Sequence, residues 1–538
     1  GQLFDASEFD LESSREVYVE FIEELERWQD QFTRLHLDRV SREVRELIRS
    51  NRPHPIVSPE RSLPIPRLEE VIQAFKNWQE LKLIPVGKRA EGTTKVSTIL
   101  RYLGYTYTVQ PSQALEWKSS GGAWVHLTAR MTASNLSPIP QFGSLQNGTQ
   151  DVVCVWERPG AEVVQSLIER LELGINNIVV LFLGRLKTRH RLDLMRAARK
   201  DSLAWAVLDE LLLLYLARET ESRLKTFMRC ALPMSSINPY METGPVPPEM
   251  FFGRSDERKS LQQTTGYSLV FGGRLLGKSA LLQQVEREFH SPELERFVIR
   301  RDIKMLGDPA SNRADPELIW SDIRAGMEES GLLPKTTATT ADTISQQIRT
   351  MMDEHLNRRV LVLLDETDNF LAADLNRNFE VVSRLKALMD YTNRRYKVVF
   401  AGLHNVQRYE GIPNQPLAHL PRLAVGPLEP FSARQLIIHP LEALGFRFPP
   451  NDESPVLGIL AYTNYHPGLI QLFCQKLLQN MQRRPLSSLG PFTITRADVE
   501  AVYRQREVQE DIRRRFEWTL ALAPRYKALT QIIVLDQL

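Results

Sequence analysis

The stretch Gly272-Gly273-Arg274-Leu275-Leu276-Gly277-Lys278-Ser279 fits the pattern G-x-x-x-x-G-K-[ST] and lies between an apolar run and a helical pattern, which restricts the folds open to this chain. Ser268-Leu269-Val270-Phe271 reads as a short buried strand, and Ala280, Leu281, Leu282, Val285 and Phe289 recur at helical spacing. A loop of this kind turns consecutive backbone N–H groups inward around a phosphate, and the helix N-terminus beneath it adds partial positive charge. Gly272, Gly273 and Gly277 are therefore expected to cradle the phosphates of a nucleotide. Lys278 is expected to reach the β- and γ-phosphates as a point charge, and the Ser279 hydroxyl to complete the shell of a Mg²⁺ ion.

A nucleotide loop calls for a second buried strand that ends in a carboxylate near the metal. Val360 to Leu364 is an unbroken apolar run followed by Asp365-Glu366. Asp365 is expected to hold Mg²⁺ through water, and Glu366 to orient or deprotonate the attacking water. A third strand, "YKVVFAGL" at 396–403, ends in His404-Asn405-Val406-Gln407-Arg408. Asn405, with Arg408 behind it, is the candidate to hydrogen-bond the γ-phosphate or the water. Arg394-Arg395 precede that strand, and Arg395 is expected to project into a neighbouring protomer's γ-phosphate. After residue 427 the pattern becomes helical, and "YTNYHPGLIQLFCQKLLQNM" starts a helix with Pro467 in its first turn. His466 and Pro467 at that N-terminus are expected to cover the adenine or touch a phosphate.

At 538 residues the chain exceeds one core, and about three to four domains are expected. The reading is a helical segment and proline-rich linker over 1–66, with apolar spacing through 11–50, then a mixed α+β region of unknown fold over 67–150. A small α/β module with a parallel sheet and a linker follows over 151–249, then the nucleotide core over 250–426, and a helical lid with the start of a possible winged helix over 427–538. The net charge of +2 makes no global case for nucleic acid, although "GRLKTRHRLDLMRAARK" at 184–200 is locally basic. Three cysteines far apart signal neither a disulfide framework nor a zinc site, so a reducing cytoplasm is the expected compartment. The longest apolar stretch, "LLLLYLA", is too short to span a bilayer, and no membrane partner is expected.

Gly272 to Ser279, "LVLLDETD", the strand "KVVFAG" with its polar tip and the helix opened by "YHPGLIQ" together resemble the STAND branch of AAA+-related P-loop ATPases over about residues 250–538. "FFGRSDERKSL" is similar to the segment that enters the ATPase core in this branch and lies near the adenine, and His466-Pro467-Gly468 is similar to the proline-containing lid motif of NB-ARC-like switches. The fold class implied is a P-loop NTPase core with a C-terminal helical lid, preceded by a small α/β module and a helical or mixed N-terminal region. The function implied is an ATPase with ATP/ADP and Mg²⁺ as cofactors, slow and regulatory. Its nucleotide state would gate homo-oligomer assembly in bacterial signalling or antiphage defence, with an effector or protein partner engaged through the N-terminal half. The alternative is an AAA+ DNA-associated ATPase of the loader or transposition-regulator type, for which the basic segment at 184–200 is the hint. Carboxylates after strands in "CVWERPGAE" and "VLDE", and the triplet "EWK" at 116–118, lack the partners that a toprim or nuclease site requires, so the 151–231 module reads as an adaptor.

Overall fold

The structure is a computed structural model and describes residues 65–109, 115–119, 122–133, 138–144, 149–156, 178–187, 190–191, 193–194, 205–219, 222–232, 234–241, 244–335, 340–403, 416–482, 492–520, 528 and 530–532. The helix expected within 11–50 and the candidates Asn405 and Arg408 lie outside these residues.

Two helices, Ile65–Lys82 and Thr93–Leu103, open the described chain. The second ends where Gly104 adopts φ +107 and returns its N–H to the carbonyls of Leu100 and Arg101, a left-handed cap that favours glycine. Six strands follow: β1 Tyr105–Val109, β2 Leu115–Ser119, β3 Gly122–Ala133, β4 Thr149–Val155, β5 Ile178–Phe182 and β6 Trp205–Leu208. β3 is long enough for β1 to pair with its residues 129–133 and β2 with 122–126, while β4 pairs with 124–130 on the other edge, all antiparallel. β4, β5 and β6 continue the sheet in parallel.

The division expected near residue 150 therefore does not hold. One mixed sheet runs across it, because the ladder between β3 and β4 joins the two sides. The expected parallel part is present as β4 to β6. β5 is buried throughout, with Val179 and Leu181 facing one apolar cluster and Val180 and Phe182 the other. The basic segment is partly folded inward: Arg191 is buried and its Nη2 lies 2.7 Å from Asp209 Oδ1. Arg185 feels the charges of Glu210 and Asp209. Asp209 is fully buried; it caps the helix Glu210–Tyr215 by accepting from the Leu212 N–H and also accepts from the Leu186 N–H.

The nucleotide core contains β7 Leu269–Phe271, β8 Arg296–Asp302, β9 Arg359–Asp365, β10 Tyr396–Gly402 and β11 Arg422–Ala424. They form one parallel sheet in the order β11-β7-β10-β9-β8. β10 thus sits between the strand that feeds the phosphate loop and the strand that ends in Asp365. Helices cover both faces, which explains the unbroken apolar run of β9: Val360, Val362 and Leu364 face one cluster with Ile348, Phe370 and Leu385, whereas Leu361 and Leu363 face another with Leu281, Leu282 and Val285. The α/β P-loop NTPase fold follows from this arrangement.

The C-terminal region is helical, with helices Pro430–Ala443, Ser454–Thr463, Pro467–Gln482, Arg496–Tyr503 and Arg506–Leu520. A short parallel pair, β12 Phe446–Arg447 and β13 Phe492–Thr493, ties two of its loops together. Leu469, Leu472, Phe473, Leu477 and Leu478 form the buried face of the Pro467–Gln482 helix.

Candidate functional site

The phosphate loop leaves the C-terminal end of β7 and enters the helix Lys278–Phe289. Gly272 has to be glycine because a Cβ there would stand 2.4 Å from the Val425 carbonyl oxygen beside β11. Gly277 takes φ +93 immediately before the helix, a turn that suits glycine. Lys278 is buried, and its Nζ donates to the carbonyls of Gly272 at 2.9 Å and Gly273 at 3.0 Å. Two of its three donors thus fix the loop, and the third remains for a phosphate oxygen. Burial lowers the ammonium's proton affinity, while the carboxylates of Glu366, Asp365 and Asp368 act in the opposite sense.

Across the sheet, Asp365 is the buried last residue of β9, and its Oδ1 accepts the Glu366 N–H at 3.0 Å. Glu366 stands in the left-handed region at φ +57, a costly conformation for a side-chain-bearing residue. Burial first, then the charge of Asp365, raises the Glu366 pKa above that of an ordinary glutamate; Lys278 opposes the rise. The next two residues tie this turn to β10. The Thr367 N–H and hydroxyl both donate to the Ala401 carbonyl, at 2.9 and 3.0 Å, and the Asp368 carboxylate accepts the Leu403 N–H at 2.9 and 3.1 Å. Gly402 allows this approach, since a Cβ there would meet Asp368 Oδ2 at 3.0 Å.

These residues fit a nucleotide with its cation. The Ser279 side chain is exposed on the loop helix, and the Asp365 and Glu366 carboxylates interact electrostatically with the Lys278 ammonium. Among the described residues no three His, Cys, Asp or Glu side chains form a ready-made metal cage. Mg²⁺ is bound through few protein groups together with phosphates and water. Ser279 and Asp365 are the residues that would hold it.

The lid turn reaches the loop directly. His466, Pro467 and Gly468 line the same cavity of about 770 Å³ as Gly273, Lys278 and Ser279, within the usual range for small-molecule sites. A Cβ on Gly468 would lie 2.8 Å from the Leu275 Cβ, so glycine is what lets the helix Pro467–Gln482 begin against the loop tip. The His466 imidazole bridges the two parts: Nδ1 accepts the Leu469 N–H at 3.4 Å, and the ring is hydrogen-bonded to the Arg274 carbonyl. Burial, reinforced by the charge of Arg515, lowers the His466 pKa to about 4.

His466 is therefore neutral at neutral pH where the turn packs on the phosphate loop, whereas an exposed or unfolded histidine takes up its proton near pH 6.5. The stability that this neutral imidazole contributes is fully present above about 6.5 and is lost as pH falls toward 4, because the unfolded chain binds the proton first. The expected loss across that window is on the order of 1–3 kcal/mol. Melting temperatures of the native protein and of His466→Gln between pH 7 and pH 4 check it: the native protein should lose stability relative to the variant, and parallel curves would remove His466 from the lid contact.

Residues 236–241 and 244–254 join the three parts of the molecule. The Gln141 side chain donates to the Ser236 carbonyl at 2.7 Å, and the Ser144 N–H donates to Glu249. The Tyr240 hydroxyl lies 3.1 Å from the carbonyls of both Leu436 and Ile437 on the helix Pro430–Ala443. Pro440 inside that helix has no N–H to give to Leu436, so the tyrosine fills the vacancy that the proline creates. The Met241 N–H donates to Gln471 of the next lid helix but one, and Val246, Pro247 and Met250 line the cavity. Gly253 sits against Ser432, where a Cβ would be 2.4 Å from the hydroxyl oxygen, and Phe252 packs edge-on against His439 at 5.9 Å.

Arg395, expected to act on a neighbouring protomer's phosphate, lies away from this protomer's own phosphate loop. It precedes β10, at the end of the parallel sheet opposite the phosphate loop, and its Nη1 donates to the Met352 and His355 carbonyls at 2.9 and 3.0 Å. It thereby caps the C-terminus of the helix Ala341–Glu354. Other cations line the cavity instead. Arg515, from the helix Arg506–Leu520, donates to the Gly468 carbonyl at 3.1 Å, and Lys304 follows β8. Neither belongs to a local motif, so only the tertiary fold brings them to the site.

No protein-family model matches the chain, and no curated protein matches it in sequence. Among solved structures it is similar to the ORC2 protein of Aeropyrum pernix in ADPNP–ADP complexes, at 12% identity and a TM-score of 0.33, over 49% of this chain and 71% of that one. It is also similar to Cdc6p of Pyrobaculum aerophilum, at 11% identity and a TM-score of 0.28, over 45% and 63% of the respective chains. For PCH-2 of C. elegans the identity is 13%, the TM-score 0.24 and the coverage 49% and 71%. These likenesses are distant, and the assignment of the core rests on its strand order and loop geometry.

Proposed function

We propose that this chain is an ATP-binding and ATP-hydrolysing switch of the AAA+-related, STAND-like kind, in which nucleotide state sets the position of the lid and thereby controls self-assembly. One observation carries the reading: the phosphate loop, Glu366 and the lid turn at His466 converge on a single cavity whose wall is also the connector to the N-terminal module. Lys278 and the loop N–H groups bind the phosphates, Ser279 and Asp365 serve Mg²⁺, and Glu366 orients the attacking water. The Tyr240 segment carries a change in lid position to the N-terminal sheet, which serves as the adaptor to a protein partner. The signalling or defence setting rests on the resemblance of the lid motif.

Sizing the protein by light scattering with Mg²⁺ and either ADP or a non-hydrolysable ATP analogue tests this. Larger species with the analogue alone are expected, since a ligand shifts an equilibrium only as far as it prefers one state. One size in both, together with salt-dependent binding to DNA, would favour the DNA-associated ATPase instead.

A further inference from the structure

At the end of the core sheet away from the phosphate loop, where the parallel strands begin, lies a shallow cavity of about 560 Å³. Lys259, Arg296 and Arg359 line it, with the neutral donors Gln262, Gln263, Thr264 and Thr265 and the ring of Phe289, and no carboxylate. Arg296 opens β8 and Arg359 opens β9, so the two guanidiniums stand side by side, over the same Phe289 ring at 5.8 and 4.8 Å. Burial, and then the charge of Arg296, holds the Arg359 proton affinity below its usual value.

Lys397 stands directly behind this wall. It is 3% exposed, and its Nζ donates to the carbonyls of Leu261 at 3.1 Å and Gln263 at 2.6 Å. Burial, followed by Arg394 and Arg359, brings its pKa down to about 7. Arg359 also donates to the Gln262 carbonyl. These contacts cap the C-terminus of the helix Ser255–Gln262, but carbonyl oxygens carry only partial charge and do not neutralise the cations.

The nearby carboxylates are committed elsewhere. Glu288 pairs with Arg258, Glu295 lies 3.5 Å from Arg358, and Asp390 lies 3.6 Å from Arg394. Among the described residues, Lys259, Arg296, Arg359 and Lys397 have no acidic partner. Three cations line this concavity without a counter-charge, and an anion that joins them relieves their mutual repulsion.

We propose that this cavity is a second anion site, one that takes a phosphate group through Lys259, Arg296 and Arg359. The group can come from a nucleic-acid backbone or from a small free phosphate, and the same chemistry recognises both. The experiment uses the full chain carrying Lys278→Ala, so that binding does not depend on the nucleotide loop. Pyrophosphate is titrated by calorimetry and a labelled single-stranded oligonucleotide by anisotropy, each against a version that also carries Lys259→Glu and Arg296→Glu. Both side chains are exposed, so the fold should persist, and the milder Arg296→Gln provides a second reading if it does not.

A loss of about tenfold or more in affinity for either probe is expected on charge reversal, the scale of a charged hydrogen bond. Loss for the oligonucleotide, with its salt slope reduced by about one per removed contact, assigns a nucleic-acid backbone. Loss for pyrophosphate alone assigns a small phosphate. Absence of binding by both probes, or affinities unchanged by charge reversal and by Arg296→Gln, overturns the site.

Discussion

Lys278→Ala is expected to abolish tight ATP binding, with an affinity loss on the order of 10²-fold or more, the scale of losing charge-assisted hydrogen bonds in a shielded site. The side chain acts in two ways. It is the buried cation of the loop, and its Nζ also holds the Gly272 and Gly273 carbonyls, so alanine removes both the charge and the brace that shapes the loop. The carboxylates of Glu366, Asp365 and Asp368 would then face the phosphates without the ammonium that offsets them. Calorimetry with ATP and Mg²⁺ measures the effect. Unchanged affinity would show that nucleotide binds elsewhere, whereas a retained melting temperature with lost affinity supports the assignment.

The parts legible in the sequence were those whose signals are local. The loop, its helix and the run Val360 to Leu364 could be read because a strand covered on both faces has to be apolar at every position. The region 67–150 reads only as mixed α+β, and the pairing of β3 with β4 is not visible in it, since register between distant segments leaves no mark in either one. For this reason a boundary was expected at residue 150 where the sheet is continuous. Tyr240 and Pro440 show the same limit: a proline inside a helix announces an orphaned carbonyl, but nothing local says that a residue 196 positions earlier supplies the donor. Arg395 is a different case. It precedes its strand, and in a parallel sheet with the phosphate loop at the strand ends that order already places it at the far side.

Glu366→Gln is expected to lower hydrolysis by about 10²-fold or more while ATP still binds, the scale of a general-base contribution. Glutamine keeps the size of the side chain and one acceptor, and it leaves Asp365 and Ser279 free to serve the metal. In the native protein, burial and the neighbouring Asp365 charge raise the Glu366 pKa, so its carboxyl holds a proton to a higher pH than an ordinary glutamate. Turnover of the native enzyme should accordingly fall on acidification, beginning above the usual glutamate range, and the residual turnover of Glu366→Gln should lack that limb. The left-handed backbone at φ +57 is unchanged by the substitution, so the turn that Thr367 and Asp368 tie to β10 should survive. If ATP favours the open, associating state, blocking its hydrolysis closes the exit from that state and the variant should accumulate it. Light scattering of Glu366→Gln with ATP and with ADP at several protein concentrations, beside a phosphate-release assay, separates chemistry from assembly. Larger species with ATP alone support the switch; one monomeric size in both nucleotides, with hydrolysis abolished, would overturn nucleotide-gated assembly while leaving the ATPase site intact.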